Sequence, residues 1–160
     1  MASVIDELFA QHEWANLRLL EACRSLSDAQ LDATTEGVYG TIRQTLLHLV
    51  VAEPSYVTRL GGAYDGPAYE RGTNPSFEVL EAMVRASAAG LRERAHSVDA
   101  SPFTFRSPED EEIDASVVIV QALNHGADHR SQICSILTTL GIEPPGLDAW
   151  SWAEATGRIR

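Results

Sequence analysis

From Asp114 to Leu140 the chain places apolar residues at three- and four-residue steps: Val118, Ala122, Ile133, Ile136 and Leu140 fall on one stripe. That period is the period of a helix, and a stripe this long predicts one helix of about seven turns that must bury one face against neighbours. His125 and His129 lie on the same stripe. Two residues four apart on a helix stand about 40° apart and one turn up. Two imidazoles at that spacing reach a single metal ion. Polar rings that face a core need partners, and a metal is one such partner.

Three more segments carry helical periodicity. The first runs from about Ser3 to Ser25, with Ile5, Leu8, His12, Ala15, Leu19 and Ala22 as its stripe. Ser27 to Gln30 matches the Ser-x-x-Gln capping box and predicts a short turn. The second long helix opens at Thr41, with Gln44 completing a capping box, and ends at Gly61. Its stripe is Ile42, Leu46, Leu49, Val50, Glu53, Val57 and Leu60, and Pro54 predicts a kink within it. Asn74 as N-cap and Pro75 as first helical residue open the third, which frays near Ser97. Phe77, Leu80, Val84, Ser87, Ala88 and Leu91 form its buried side. Between the third and fourth helices, Phe103 to Phe105 alternates with polar residues, as a short strand or extended arm would. Asp148 to Thr156 predicts a short terminal helix.

Four long amphipathic helices with no strand ladder and no internal repeat define an all-α fold, a four-helix bundle with a short C-terminal helix. The 160 residues suit one domain spanning 1–160. The loop lengths leave open which helices are neighbours in space.

Charge excludes some functions. The net charge is −11, and all 12 basic residues are Arg. Without a basic face the chain is a poor nucleic-acid binder. No apolar run approaches the ~18 residues of a membrane span, and the N-terminal residues show no signal-peptide pattern. The expected location is the cytoplasm. Cys23 and Cys134 form no paired motif and read as buried free thiols.

His48 lies beside the stripe of the second helix. One imidazole from a neighbouring helix would join His125 and His129 in a three-histidine site with a coordination position left open. An ion there lowers the pKa of a bound water or thiol. His12 and His96, taken singly, read as imidazoles hydrogen-bonded to a neighbour. His12 to Asn16 begins like His-Glu-x-x-His but carries Asn where the second His is required. Glu93 and His96 match half of a di-iron motif with no second copy, so they read as a solvated helix face.

Four blocks of the sequence are similar to a known family. His12-Glu13-Trp14-Ala15-Asn16 resembles an aromatic-x-Trp-Ala-Asn opening, and Gly40 to His48 with Glu53 resembles a first ligand segment. Asn124-His125-Gly126-Ala127-Asp128-His129-Arg130-Ser131-Gln132 is close to a His-x-x-x-His-Arg-Gly-Gln block, and Leu140 to Pro145 with Leu147 and Asp148 resembles the usual tail. Taken in order, they resemble the DinB/YfiT-like superfamily of metal-dependent enzymes. The resemblance implies a four-helix bundle holding zinc or nickel on His48, His125 and His129. It also implies chemistry on thiol cofactors, since mycothiol-dependent isomerases and bacillithiol S-transferases are members. Ser131 departs from the family's Gly and puts a larger residue where helices would pack.

The expected function is therefore a metal-dependent enzyme that activates a thiol or water, a thiol-dependent S-transferase or isomerase acting on a small-molecule substrate. A low-molecular-weight thiol is the expected second cofactor. The alternatives are a metal-dependent hydrolase and a non-enzymatic metal-binding stress protein. A homodimer is a further expectation, with its interface unassigned. No catalytic residue is assigned. Asp128 or Glu53 could orient a ligand ring, Asp128 could instead pair with Arg130, and Gln132 lies near the same face. Asn16 reads as core packing, Trp14 as a loop anchor, and Trp150 and Trp152 as cover for the bundle end.

Overall fold

A computed structural model describes residues 2–159. The elements in order are α1 (Val4–Arg24), α2 (Asp28–Leu31), α3 (Ile42–Arg59), α4 (Phe77–Ala100), β1 (Thr104–Arg106), β2 (Glu112–Asp114), α5 (Ala115–Thr139) and α6 (Ala149–Ala155). The fold is all-α: α1, α3, α4 and α5 form the four-helix bundle.

The helix starts follow from local chemistry. Thr41 Oγ1 accepts from Gln44 N at 3.1 Å while Gln44 Oε1 accepts from Thr41 N at 3.0 Å, so two of the donors that a helix start leaves free are satisfied reciprocally. Ser27 with Gln30 and Ser3 with Asp6 do the same for α2 and α1. The third long helix departs from expectation. Its N-cap is Ser76, whose hydroxyl accepts from Val79 N, and Asn74 and Pro75 precede it. Either polar residue could cap, and Ser76 is the one that reaches the first turn. This helix also continues beyond Ser97 to Ala100. α3 runs through Pro54 to Arg59. α5 stops at a left-handed Gly141 (φ 73°), where Ile142 N donates to Leu137 O and Gly141 N to Thr138 O.

α1 packs on α4 and α5, and α3 packs on the same two, so α1 and α3 face each other across the bundle. The α4–α5 connection carries a two-stranded antiparallel hairpin, Phe105 opposite Ile113. Phe103 and Phe105 pack from it onto the core.

The apolar interior is two clusters. One joins Leu19, Leu49, Val50, Met83, Ile133 and their neighbours, the other Phe9, Val57, Leu91, Val118, Ala122 and theirs. Between them in sequence, on all four helices, lie buried polar residues: His12 and Asn16, Glu53, Ser87, and Arg130.

Several single expectations need correction. On α1 the buried stripe passes through Phe9, and Leu8 is 48% exposed because it faces the open α1–α5 groove. Leu140 lies at the helix end and is exposed. Trp152 is buried but Trp150 is 75% exposed, so one tryptophan and not two covers the bundle end. Both cysteines are free, with Cys23 buried and Cys134 only half-buried. Ser131 is exposed, so its extra atoms meet no helix.

Candidate metal centre

α3 delivers His48 and α5 delivers His125 and His129 to one point. One nitrogen from each ring lies within 4.8 Å of the other two. His48 Nε2 and His125 Nε2 are 3.0 Å apart. Two nitrogens each ~2.0–2.1 Å from one ion stand roughly 3 Å apart, so the pair already has the spacing that shared coordination demands. The rings meet edge to face, with His125 and His129 centroids 4.4 Å apart at 81° and His48 and His129 at 4.8 Å and 90°.

Electrostatics favour neutral rings. Burial, with His129 and His48 alongside, pushes His125 down to about 4, against a weaker upward pull from Glu53. Burial and His129 also lower His48. Two of the imidazoles are thereby free of competing protons at neutral pH, as metal ligation requires.

Orientation comes from a polar relay on α5. His129 Nδ1 lies 3.0 Å from Gln132 Oε1, an oxygen that also accepts from Tyr39 N at 3.1 Å. Gln132 Nε2 donates to Asp128 Oδ2 at 3.2 Å, which fixes the amide with its oxygen toward His129. His129 therefore carries its hydrogen on Nδ1 and keeps the Nε2 lone pair for a metal. Asp128 forms no ion pair with Arg130; it serves this relay instead. The Tyr39 ring stacks on His48 at 4.2 Å and 17° and meets His129 edge-on at 5.3 Å.

His48 lines a cavity of about 590 Å³, with Tyr39, Gln44, Val51, Tyr69 and Arg71 among its walls. Sequence reading missed Tyr39, Tyr69 and Arg71. Tyr39 had a weak signal, an aromatic in a glycine-bounded loop next to a capping box. Tyr69 and Arg71 had none.

The remaining candidates lie elsewhere. His96 binds Asp6 at 2.8 Å on the surface, and His12 binds Glu53 at 2.7 Å in the centre of the bundle, each with a neighbour as expected. Asn16 donates to Glu53 at 3.0 Å and accepts from Arg130 at 2.7 Å, so it is a core residue with a polar task. Arg130 Nη1 also approaches His12 Nδ1 at 3.4 Å, which leaves the His12 hydrogen on Nε2, facing the carboxylate. Burial pulls the Arg130 guanidinium down, and Glu53 opposes that pull. This arrangement requires Gly126: a Cβ there would fall on His12 Cε1 and within 2.8 Å of Arg130 Nη1.

Fold and cluster together define a class, helical bundles that gather three imidazoles beside a cavity. The DinB family profile matches residues 1–159, and the chain belongs to the DinB family. A DinB-like protein from Bacillus cereus, known from its crystal structure, shares the fold with a TM-score of 0.65 and 19% sequence identity, over 86% of this chain and 91% of that one. No curated protein matches the chain. No helix among the described residues is long and apolar enough to cross a membrane.

Proposed function

We propose that this chain is a metal-dependent enzyme in which His48, His125 and His129 hold a divalent transition metal. The observation that carries the reading is the convergence of three imidazole nitrogens within 4.8 Å, two of them 3.0 Å apart, beside a cavity of about 590 Å³. Three imidazoles suit zinc or nickel better than calcium or magnesium, which prefer oxygen. A bound ion of this kind lowers the pKa of a coordinated thiol or water. Three protein ligands leave a coordination position for that group. Tyr39 and Gln132 hold the rings in register, and the cavity beside His48 receives a small-molecule substrate.

We assign the chemistry to thiol-dependent S-transfer or isomerisation, with a low-molecular-weight thiol as second cofactor. This rests on family membership. A hydrolase using the same ligands differs only in its nucleophile. A non-enzymatic metal-binding stress protein would have no use for an open cavity beside His48. The proposed homodimer has one surface in its favour, the groove beside Leu8 (48% exposed) and Val120 (57% exposed) on α1 and α5. Light scattering of the wild type and of L8E/V120E tests it: a monomeric wild type removes the dimer.

Metal analysis of the purified chain beside H48A/H125A/H129A tests the centre. One equivalent in the wild type and none in the variant is expected; equal content in both ends the reading. Thiol consumption is then followed with electrophilic substrates. A metal-dependent rate is expected, and its absence with every thiol tried transfers the assignment to water.

A further inference from the structure

Four buried side-chain atoms among the described residues have no hydrogen-bond partner: Glu53 Oε2, Ser87 Oγ, Arg94 Nε and His125 Nδ1. Glu53 Oε2 is the one obligate acceptor among them, and His125 Nδ1 is the donor that metal binding at Nε2 would create. His125 presents Nε2 to His48, so a ring that gives the Nε2 lone pair to an ion must carry its hydrogen on Nδ1. Nδ1 is then a buried donor that needs an acceptor, and carboxylates are the usual acceptors behind a metal-bound imidazole. Glu53 is the only buried carboxylate among the described residues, 1% exposed.

The position of Glu53 is fixed from behind. Oε1 takes the His12 Nε2 hydrogen at 2.7 Å and an Asn16 Nδ2 hydrogen at 3.0 Å, and Arg130 holds Asn16 in turn. Oε2 is left over. α3 and α5, which carry Glu53 and His125, are packed neighbours. The His12 ring that holds this carboxylate lies against the α-carbon of Gly126, the residue next to His125. Asp128, the carboxylate next to His129, is exposed and already occupied by Gln132.

We propose that Glu53 is the positioning residue for His125, Oε2 accepting the Nδ1 hydrogen directly or through one water when Nε2 holds the ion. The inference rests on the metal reading above. It gives the buried network a purpose: Arg130 of α5 is tied through α1 and α3 back to His125 of α5, so the ligand ring is braced by the bundle's own centre. His129 has its separate brace in Gln132.

The test uses the full chain loaded with zinc. Glu53→Gln keeps the size but leaves one acceptor oxygen, which His12 and Asn16 claim, so an amide donor faces His125. The expected results are a zinc dissociation constant raised about 10–100-fold and a changed Nδ1 proton resonance for His125 in imidazole NMR spectra. The Nδ1 resonance of His129 stays in place. A His125 resonance unmoved in E53Q overturns the proposal, and so does an equal shift in both rings, which reports general loosening. A His125 shift in S87A as large as in E53Q also overturns it. If E53Q does not fold, the Glu53 carboxyl carbon is followed in the wild type during zinc titration. Movement that saturates with zinc supports the proposal, and a stationary signal overturns it. Failure of the wild type to bind zinc sinks the metal reading itself, and this inference with it, before any variant is made.

Discussion

Two polar clusters occupy the same bundle, and both use imidazole. In the outer one, His48, His125 and His129 turn nitrogens toward each other, with Nε2 to Nε2 at 3.0 Å and a cavity alongside. In the inner one, His12 has an acceptor at Nε2 and a donor at Nδ1, with Asn16, Glu53 and Arg130 closing around it. α3 and α5 contribute to both. Burial alone does not separate a candidate ligand from a strut, since His129 (6% exposed) and His12 (1% exposed) are both buried. The separation lies in the second nitrogen. His12 is engaged at both ring nitrogens, whereas His129 is engaged at Nδ1 and keeps Nε2 free.

The contrast is broken most forcefully at Arg130. R130A leaves the Glu53 charge buried without its counter-charge, and removal of one member of a buried charged network costs about 3–5 kcal/mol. Urea unfolding of the metal-free protein should show this loss, while H48A should cost only about 1 kcal/mol, the ordinary size for a point substitution. A large loss in H48A as well would erase the distinction between the clusters. Next is Gln132. Q132A removes the acceptor from His129 and should weaken zinc binding about 10–100-fold with little change in unfolding. Calorimetric titration decides this, and unchanged affinity would remove Gln132 from the site.

Gly126→Ala sharpens the comparison from the inner side. The added methyl meets His12 and Arg130, and overpacking of this kind costs about 1–3 kcal/mol, against about 1 kcal/mol of helix propensity gained. Net destabilisation is expected, and H12A/G126A should recover part of it because the two positions touch. A separate effect is in pH. His125 titrates near 4 in the folded chain against an ordinary 6.5, so the unfolded chain binds that proton more readily between these values. Metal-free stability should therefore decline as pH falls from about 6.5 through about 4. H125A should show a shallower decline over that window; an identical slope would mean that His125 is not the group responsible.

Much of this was legible in the chain because the signals are local. The His125 and His129 spacing is set by one helix, and Thr41 with Gln44 is set by one turn. The Ser-x-x-Gln box at Ser27 likewise gave α2. What was not legible depends on which helices face each other. His12 and Glu53 are 41 positions apart on helices that stand across the bundle, and loop lengths do not fix that arrangement. Glu53 was therefore visible as a stripe carboxylate that could orient a ligand ring, but its tie to His12 was not. The phase error at Leu8 has the same origin: a stripe shows that a helix has an apolar side, and two adjacent apolar residues, Leu8 and Phe9, compete to mark it. The Ser76 cap was missed for a smaller reason, since Asn74 and Ser76 are both competent and local pattern does not rank them.

The bare α-carbon at position 126 reaches further than its own packing. A His-x-x-x-His segment can be recognised in many helices, but only one with hydrogen at the second position lets a neighbouring helix lay an imidazole flush against that turn. Under the proposal that Glu53 braces His125, a chain with both histidines and a bulkier residue at this position would need another brace for the first. In this chain that one position joins the inner polar network to the turn that carries the candidate centre.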